Sequence, residues 1–259
     1  MATFLFDKTI FGPVYSRRLG ISLGINLLPN NSKYCNFNCI YCECGLTPKI
    51  NNLIKSLPTR EQVRAGLESY LNILSLNQDP IDTLTFAGNG EPTLHPQFGE
   101  IINDTIELRS EYFPDSKIAV LSNATKISNE IIFNSLNKVD LNILKLDSGI
   151  EETIMLVNNP PDNFRLDNIV SDLKKFKGNL IIQSLFFRGI YKNKNIDNTS
   201  DKEVSALLSI VKEVNPKLVM IYTVARNTPG QGIKKVPYDE LQLIAQKFQN
   251  LGIEVQVSG

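Results

Sequence analysis

Short apolar, β-branched runs alternate along the chain with longer stretches whose apolar residues recur every three to four positions. Residues 21–27, 82–87, 117–121, 141–146, 180–186, 218–224 and 253–257 read as strands. The intervening stretches read as amphipathic helices. Thr59 and Gln62 form a capping box that opens a helix running to about residue 76. Pro96 stands at a first helical position ahead of Phe98, Ile101, Ile102 and Ile106. Ser128 is placed to cap a short helix carrying Ile131, Ile132 and Leu136. A helix over 166–176 stops at Gly178, Ser200 and Glu203 spell a second capping box, and a helix over 237–251 stops at Gly252.

Regular β-α succession predicts parallel strands covered by helices, in an open doubly wound sheet or in a full or partial barrel. No Gly-x-Gly-x-x-Gly follows the first strand, which lowers the dinucleotide-binding alternative. The long connections, 28–58, 148–163, 188–199 and 225–236, all follow strands. In parallel α/β folds the loops after strands carry the chemistry.

Composition narrows the picture. The 259 residues balance 27 Lys and Arg against 27 Asp and Glu. Zero net charge gives no bulk attraction to nucleic acid or an anionic membrane. No apolar run approaches the roughly 20 residues that span a bilayer. The start of the chain is too short and wrongly flanked for a secretory signal, so the expected location is cytoplasmic.

All four cysteines crowd into one segment, Cys35, Cys39, Cys42 and Cys44, so a disulfide framework across the fold is not expected. In Cys35-Asn-Phe-Asn-Cys39-Ile-Tyr-Cys42, three thiolates suit an iron–sulfur cubane: they hold three irons and leave the fourth open. A four-thiolate zinc site is the competing reading. Cys42 and Cys44 stand two apart, which strains a tetrahedron, and structural zinc sites draw ligand pairs from separate places. Cys44 reads as a packing thiol.

The cysteine loop, with Tyr41 before its last cysteine, resembles that of the radical S-adenosylmethionine (SAM) superfamily. Gly88-Asn-Gly-Glu-Pro92 follows the next strand, where that superfamily carries a Gly-Gly-Glu-Pro-like motif. Gly12-Pro-Val-Tyr-Ser-Arg-Arg-Leu-Gly20, Leu144-Lys-Leu-Asp147 and Ile221-Tyr-Thr-Val-Ala-Arg226 resemble one subgroup, the radical SAM proteins related to wyosine synthase. The chain departs from that pattern in having Asn89 at the motif's second position, an extra Cys44, and no stretch that reads as the flavodoxin-like domain of some wyosine synthases. The resemblance implies a partial (β/α)6 TIM-like barrel of the radical SAM type. It would form one domain over 1–259, with an N-terminal extension 1–20, a barrel 21–224 and a C-terminal helix and strand 225–259. It further implies a [4Fe-4S] cluster on Cys35, Cys39 and Cys42, with SAM at the open iron. An external one-electron reductant of flavodoxin or ferredoxin type would drive cleavage of SAM to a 5′-deoxyadenosyl radical, which abstracts hydrogen from a substrate.

Within that frame, Gly88, Asn89, Gly90 and Glu91 suit the SAM amino group, because glycines let carbonyls approach and Glu91 adds negative charge. A tight turn capped by Glu91 is the plainer alternative. Ser122 and Asn123 end a strand and suit the SAM carboxylate or ribose, or equally a helix-entry turn. Asp147 suits ribose hydroxyls or substrate, and Lys145 shares its strand face. Gln183 and Ser184 interrupt an apolar strand and need polar partners, which a bound ligand would provide. Tyr41 packs near the cluster or the adenine edge, or makes a simple core contact, and Val224 flanks adenine or fills core. Arg17, Arg18, Lys145, Arg188 and Arg226 are candidates for an anionic substrate. His95, the lone histidine, reads as loop packing.

Three functions fit this reading. One is a radical SAM enzyme for a small molecule or nucleotide. Another acts on a macromolecule: a peptide, a tRNA or a glycyl-radical enzyme that it activates. The third is a non-catalytic metal-binding module, which has no need of the 88–92 motif.

Overall fold

The computed structural model describes residues 4–48, 57–225, 230 and 232–259. β1 (Ile10–Ser16) and β2 (Gly20–Ile25) form an antiparallel hairpin. There follow α1 (Arg60–Leu76), β3 (Thr83–Phe86), α2 (Phe98–Tyr112), β4 (Lys117–Ser122), α3 (Glu130–Lys138) and β5 (Leu141–Lys145). The chain continues through α4 (Glu151–Val157), α5 (Leu166–Lys174), β6 (Ile181–Tyr191), β7 (Lys194–Asp197), α6 (Asp201–Val214) and β8 (Leu218–Thr223). β9 (Lys234–Lys235), α7 (Tyr238–Gln249) and β10 (Val255–Ser258) complete it.

The sheet order is β1-β2-β3-β4-β5-β6-β8-β10, and every pair from β2 to β10 is parallel. The order never reverses. Right-handed crossovers in a sheet that always grows in one direction place all the helices on the same face, which excludes the doubly wound alternative. The sheet curls into a half-barrel with helices outside. Alternate strand residues divide accordingly. Leu84, Phe86, Ile118, Val120, Leu144, Ile182, Val219 and Ile221 pack against the helices, while Ala119, Ile143, Ile181 and Met220 form a separate apolar cluster on the inner face. Phe86 and Phe98 meet edge to face at 6.2 Å between ring centroids, joining β3 to α2. Burying each such side chain contributes about 1.5–3 kcal/mol.

The capping box on α1 forms as the sequence predicts. Gln62 N–H donates to Thr59 Oγ1 at 3.3 Å and Thr59 N–H to Gln62 Oε1 at 2.9 Å. The second box does not: Ser200 occupies the N-cap of α6 without a side-chain bond, because Glu203 instead accepts from the Ser148 and Thr153 hydroxyls. Asn129, not Ser128, caps α3, through Ile132 N–H. Pro96 lies one residue before the N-cap of α2, behind a 3-10 turn at Pro92–Leu94. β1 and α4 fall where the sequence reads as loop, and β6 runs on to Tyr191, where β7 and β9 pair with its extension. Among the described residues no helix is long and apolar enough to cross a membrane.

Candidate metal and cofactor site

The cysteine loop leaves β2 and crosses the C-terminal ends of the parallel strands. Three sets of backbone bonds fix it there. Tyr34 bridges Gly90: Tyr34 N–H donates to Asn89 O at 2.8 Å, and Glu91 N–H to Tyr34 O at 3.1 Å. Ile40 N–H donates to Val157 O at 2.9 Å, and Asn38 N–H to Asn158 O at 3.0 Å, tying the loop to the end of α4. Within it, Cys42 N–H donates to Cys39 O and Gly45 N–H to Cys42 O, turns that bring the thiols round to one side.

Cys35, Cys39, Cys42 and Cys44 all line one cavity of about 290 Å³. The strand ends complete its wall: Gly88, Gly90 and Glu91 after β3, Ser122 at the end of β4 and Asn123 after it, Lys145 on β5, Gln183 on β6 and Tyr222 on β8. Tyr41, Phe37, Lys33 and Arg18 line it too. The glycines answer to crowding. At Gly90, with φ +144°, a Cβ would sit 1.9 Å from Tyr34 O; at Gly88 it would sit 2.3 Å from Asn26 Oδ1.

Hydrogen-bond donors surround the thiols. Phe37 N–H lies 3.4 Å and Asn123 Nδ2 3.7 Å from Cys35 Sγ, and Asn158 Nδ2 lies 3.4 Å from Cys39 Sγ. Such N–H···S contacts suit thiolate ligands, whose electronics they tune. Without a metal, burial pushes the Cys35 thiol up to about 12 and also raises Cys39. Cys42 is pulled down to about 5 by its hydrogen bond with Cys44 and by the Lys33 ammonium, while the same bond and burial raise Cys44. Lys33, only 3% exposed, is held by Gly45 O at 3.0 Å. Burial pulls its ammonium down, but the neighbouring cysteines outweigh that and leave it raised.

Glu91 is buried and fully engaged. It accepts from Thr93 N–H, Thr93 Oγ1, Ser122 Oγ and Asn123 N–H at 2.6–3.0 Å. Burial raises its carboxyl, and the bonds from Asn123 and Thr93 oppose the shift. The carboxylate thus both caps the 3-10 turn and fastens the β3 loop to the end of β4. Asp147 is equally committed, accepting from Tyr41 OH, from Asn158 Nδ2 at 2.7 Å and from Leu185 N–H at 2.9 Å, with Lys145 Nζ at 3.6 Å. It supports the cavity from behind its wall. Burial lowers the Lys145 ammonium, yet Asp147, Tyr222 and Cys39 together leave it raised.

Some residues singled out by sequence lie elsewhere. Asn89 turns its side chain away, donating to Phe6 O and Pro29 O at 2.8 Å and accepting from Phe6 N–H at 2.9 Å. Ser184 faces the helix layer and donates to Leu146 O, because adjacent strand residues point to opposite faces and Gln183 takes the inner one. Val224 packs against the core. Arg17 bonds Gly259 O at the surface. Arg188 is held by Asp197, Thr199 and Glu240, away from the cavity. His95 clamps the loop to Pro58 O at 2.8 Å, and Arg226 lies outside the described residues. Sequence reasoning missed Lys33, Asn158 and Tyr222. The available signal for Tyr222 was a hydroxyl-bearing residue ending the continuous apolar run Leu218–Ile221 of β8.

Among the described residues no three Cys, His, Asp or Glu side chains converge on a single-ion geometry. The wall nonetheless fits a larger inorganic centre with a polar guest. It offers soft thiols with N–H donors, glycine backbone at close quarters, and two buried donors with no hydrogen-bond partner among the described residues, Arg18 NH1 and Gln183 Nε2.

The fold has solved counterparts. A radical SAM methyltransferase from Sphaerobacter thermophilus superimposes with a TM-score of 0.67 at 12% identity, over 92% of this chain and 65% of that one. Streptococcus suis SuiB bound to S-adenosylmethionine gives a TM-score of 0.64 at 16% identity, over 91% of this chain and 50% of that one. A structure described as native anSMEcpe with bound AdoMet gives 0.55 at 18% identity, over 91% and 63%. The chain therefore has the radical SAM fold, the partial TIM barrel.

No family model matches it. UPF0026 protein MJ1312 of Methanocaldococcus jannaschii is 31% identical over 248 residues, covering 93% of this chain and 71% of that protein. The chain belongs to the UPF0026 family. A Helicobacter pylori UPF0026 protein is 29% identical over 249 residues. A Brachyspira hyodysenteriae protein named GTPase Obg is 29% identical over 254 residues, and this chain spans 35% of its length.

Proposed function

We propose that this chain is a radical SAM enzyme, with Cys35, Cys39 and Cys42 holding a [4Fe-4S] cluster whose remaining corner takes SAM. The observation that carries this reading is the single cavity that brings three thiols, the 88–92 turn and two unpartnered buried donors together at the C-terminal ends of the strands. When bound, cluster and cofactor would supply one-electron reductive cleavage of the sulfonium, the source of radical chemistry for hydrogen abstraction. That structures of the same fold carry SAM supports the assignment.

The chain's own residues bind, orient and exclude water. Asn123 and Asn158 donate to the Cys35 and Cys39 sulfurs. Gly88 and Gly90 let backbone approach the SAM amino group, and Glu91 holds that turn against β4. Ser122 and Asn123 border the same side, while Lys145, Gln183 and Tyr222 border the other. An external one-electron donor of flavodoxin or ferredoxin type completes the cycle.

The test is anaerobic reconstitution with iron and sulfide, reduction, and addition of SAM. Wild type is expected to release 5′-deoxyadenosine and the Cys39→Ala variant none. A preparation with four irons per chain that releases none sinks the reading.

A further inference from the structure

The four cysteines do not share one environment. Cys39 is buried, and its sulfur faces Asn158 Nδ2 at 3.4 Å. Cys35 Sγ faces Phe37 N–H at 3.4 Å and Asn123 Nδ2 at 3.7 Å. Cys42 and Cys44 are half-buried, and their thiols are in hydrogen-bond contact with each other. The backbone arranges that contact. Gly45 N–H donates to Cys42 O at 3.0 Å, closing a four-residue turn with Cys42 and Cys44 at its first and third positions. Such a turn brings its ends within about 7 Å, so the two residues fall inside disulfide reach.

Cys44 is also the cysteine that the cluster reading leaves without a task, since three thiols hold three irons. Its sulfur lies 3.5 Å from Gly88 O and lines the cavity beside Cys42. Two thiols in contact have a chemistry that a packing residue lacks, because a two-electron oxidation joins them. A bond between residues two apart closes a very small ring. Strained disulfides of that kind are readily reduced again and belong with the labile, regulatory ones.

We propose that Cys42 and Cys44 are a redox modification site: in the metal-free protein they form a reversible disulfide that withdraws Cys42 from the cluster. The oxidant is a low-molecular-weight disulfide such as oxidised glutathione. The Cys42 sulfur loses its proton and bonds to one glutathione sulfur, expelling the other glutathione as thiol. The Cys44 sulfur then loses its proton, bonds to the Cys42 sulfur and expels the second glutathione. The two cysteines give up two electrons and two protons, and two glutathione thiols carry them away. Excess thiol runs the exchange backwards. While joined to Cys44, Cys42 is kept off the irreversible steps of thiol oxidation. Cluster assembly thereby follows the thiol–disulfide balance around the chain. The pair stands without the radical SAM reading, which enters only in making Cys42 a cluster ligand.

The test starts from the metal-free full chain, incubated without oxygen in oxidised glutathione. Unreduced protein is then cut after Tyr41 and Leu46, which parts Cys42 and Cys44 from the other two cysteines, and weighed by mass spectrometry. The wild-type fragment 42–46 should have lost two hydrogens, and dithiothreitol should restore them. Cys35→Ser, which keeps the pair, should give the same fragment. Cys44→Ser and Cys44→Ala should not lose hydrogens there. Offered a cluster from a loaded carrier protein with no free thiol present, oxidised wild type should gain no cluster absorbance until dithiothreitol is added. A wild-type bond that maps to any other pair of cysteines overturns the proposal, as does glutathione left on Cys42 with no internal bond. So does an oxidised protein that takes up the cluster as fast as the reduced one. A Cys42–Cys44 bond in a protein that takes up no cluster even when reduced leaves the disulfide standing and refutes the cluster reading instead.

Discussion

At the scale of single residues, His95 and Gly90 make the sharpest claims. His95 Nδ1 accepts from Gln97 N–H at 3.1 Å and Nε2 faces Pro58 O at 2.8 Å, so the neutral ring with its proton on Nε2 satisfies both neighbours. Burial holds its pKa below the ordinary imidazole value. The unfolded chain therefore takes up this proton first as pH falls, and stability drops on acidification from about pH 6.5 down through the lowered folded value. Urea midpoints across pH 5–7 should show that decline, and His95→Gln should flatten it; superimposable profiles would count against the assignment. Gly90→Ala forces a Cβ against Tyr34 O and breaks the bridge that holds the cysteine loop. A cost of about 2–4 kcal/mol in urea unfolding is expected, together with lower iron retention after reconstitution. Unchanged stability would mean that the loop is held elsewhere.

At the scale of elements, two caps that look alike in sequence should behave differently. Thr59→Ala removes a formed capping box and should cost about 1 kcal/mol. Ser200→Ala removes a hydroxyl that makes no cap bond and should cost less than about 0.5 kcal/mol. Thermal unfolding of the two variants checks the contrast, and equal losses would contradict it. The pair also shows where sequence stops. Parallel strands and their helices were legible because burial on both faces imposes long apolar runs. The cysteine spacing and the 88–92 turn were legible because their chemistry is local. Glu203 was misread because its partners, Ser148 and Thr153, lie some 50 residues away in the chain. β1 was missed because an edge strand containing Gly12 and Pro13 reads as loop. Gln183 and Ser184 looked equivalent until the sheet assigned them opposite faces, and Asp147 looked available until Tyr41, Asn158 and Leu185 were seen to hold it.

At the scale of the whole molecule, the cavity wall is built by the protein itself. Bonds from Tyr34 to the 88–92 turn, and from Asn38 and Ile40 to the end of α4, hold the cysteine loop without metal. The metal-free, reduced protein should therefore unfold cooperatively with native-like far-UV dichroism, unlike small zinc modules that collapse without their ion. Loading the cluster should then stabilise the fold by mass action, by about 2.7 kcal/mol for a ligand present at 100 times its Kd, and raise the unfolding midpoint. A metal-free chain lacking helical signal would refute this.

Asn89 carries a consequence beyond its own position. Its amide meets Phe6 as another strand's peptide group would, giving one bond and receiving one, and the Phe6 ring stacks on Phe11 at 3.7 Å. One side chain thus ties the segment around Phe6 to the 88–92 turn, beside the bond from Phe4 N–H to Glu43 O at 3.0 Å that ties the same segment to the cysteine loop. Exchanging it for glycine would remove both bonds to Phe6 and leave that segment, among the described residues, joined to the cysteine loop through Phe4 alone, so a change around Phe6 would reach the thiols by one route instead of two.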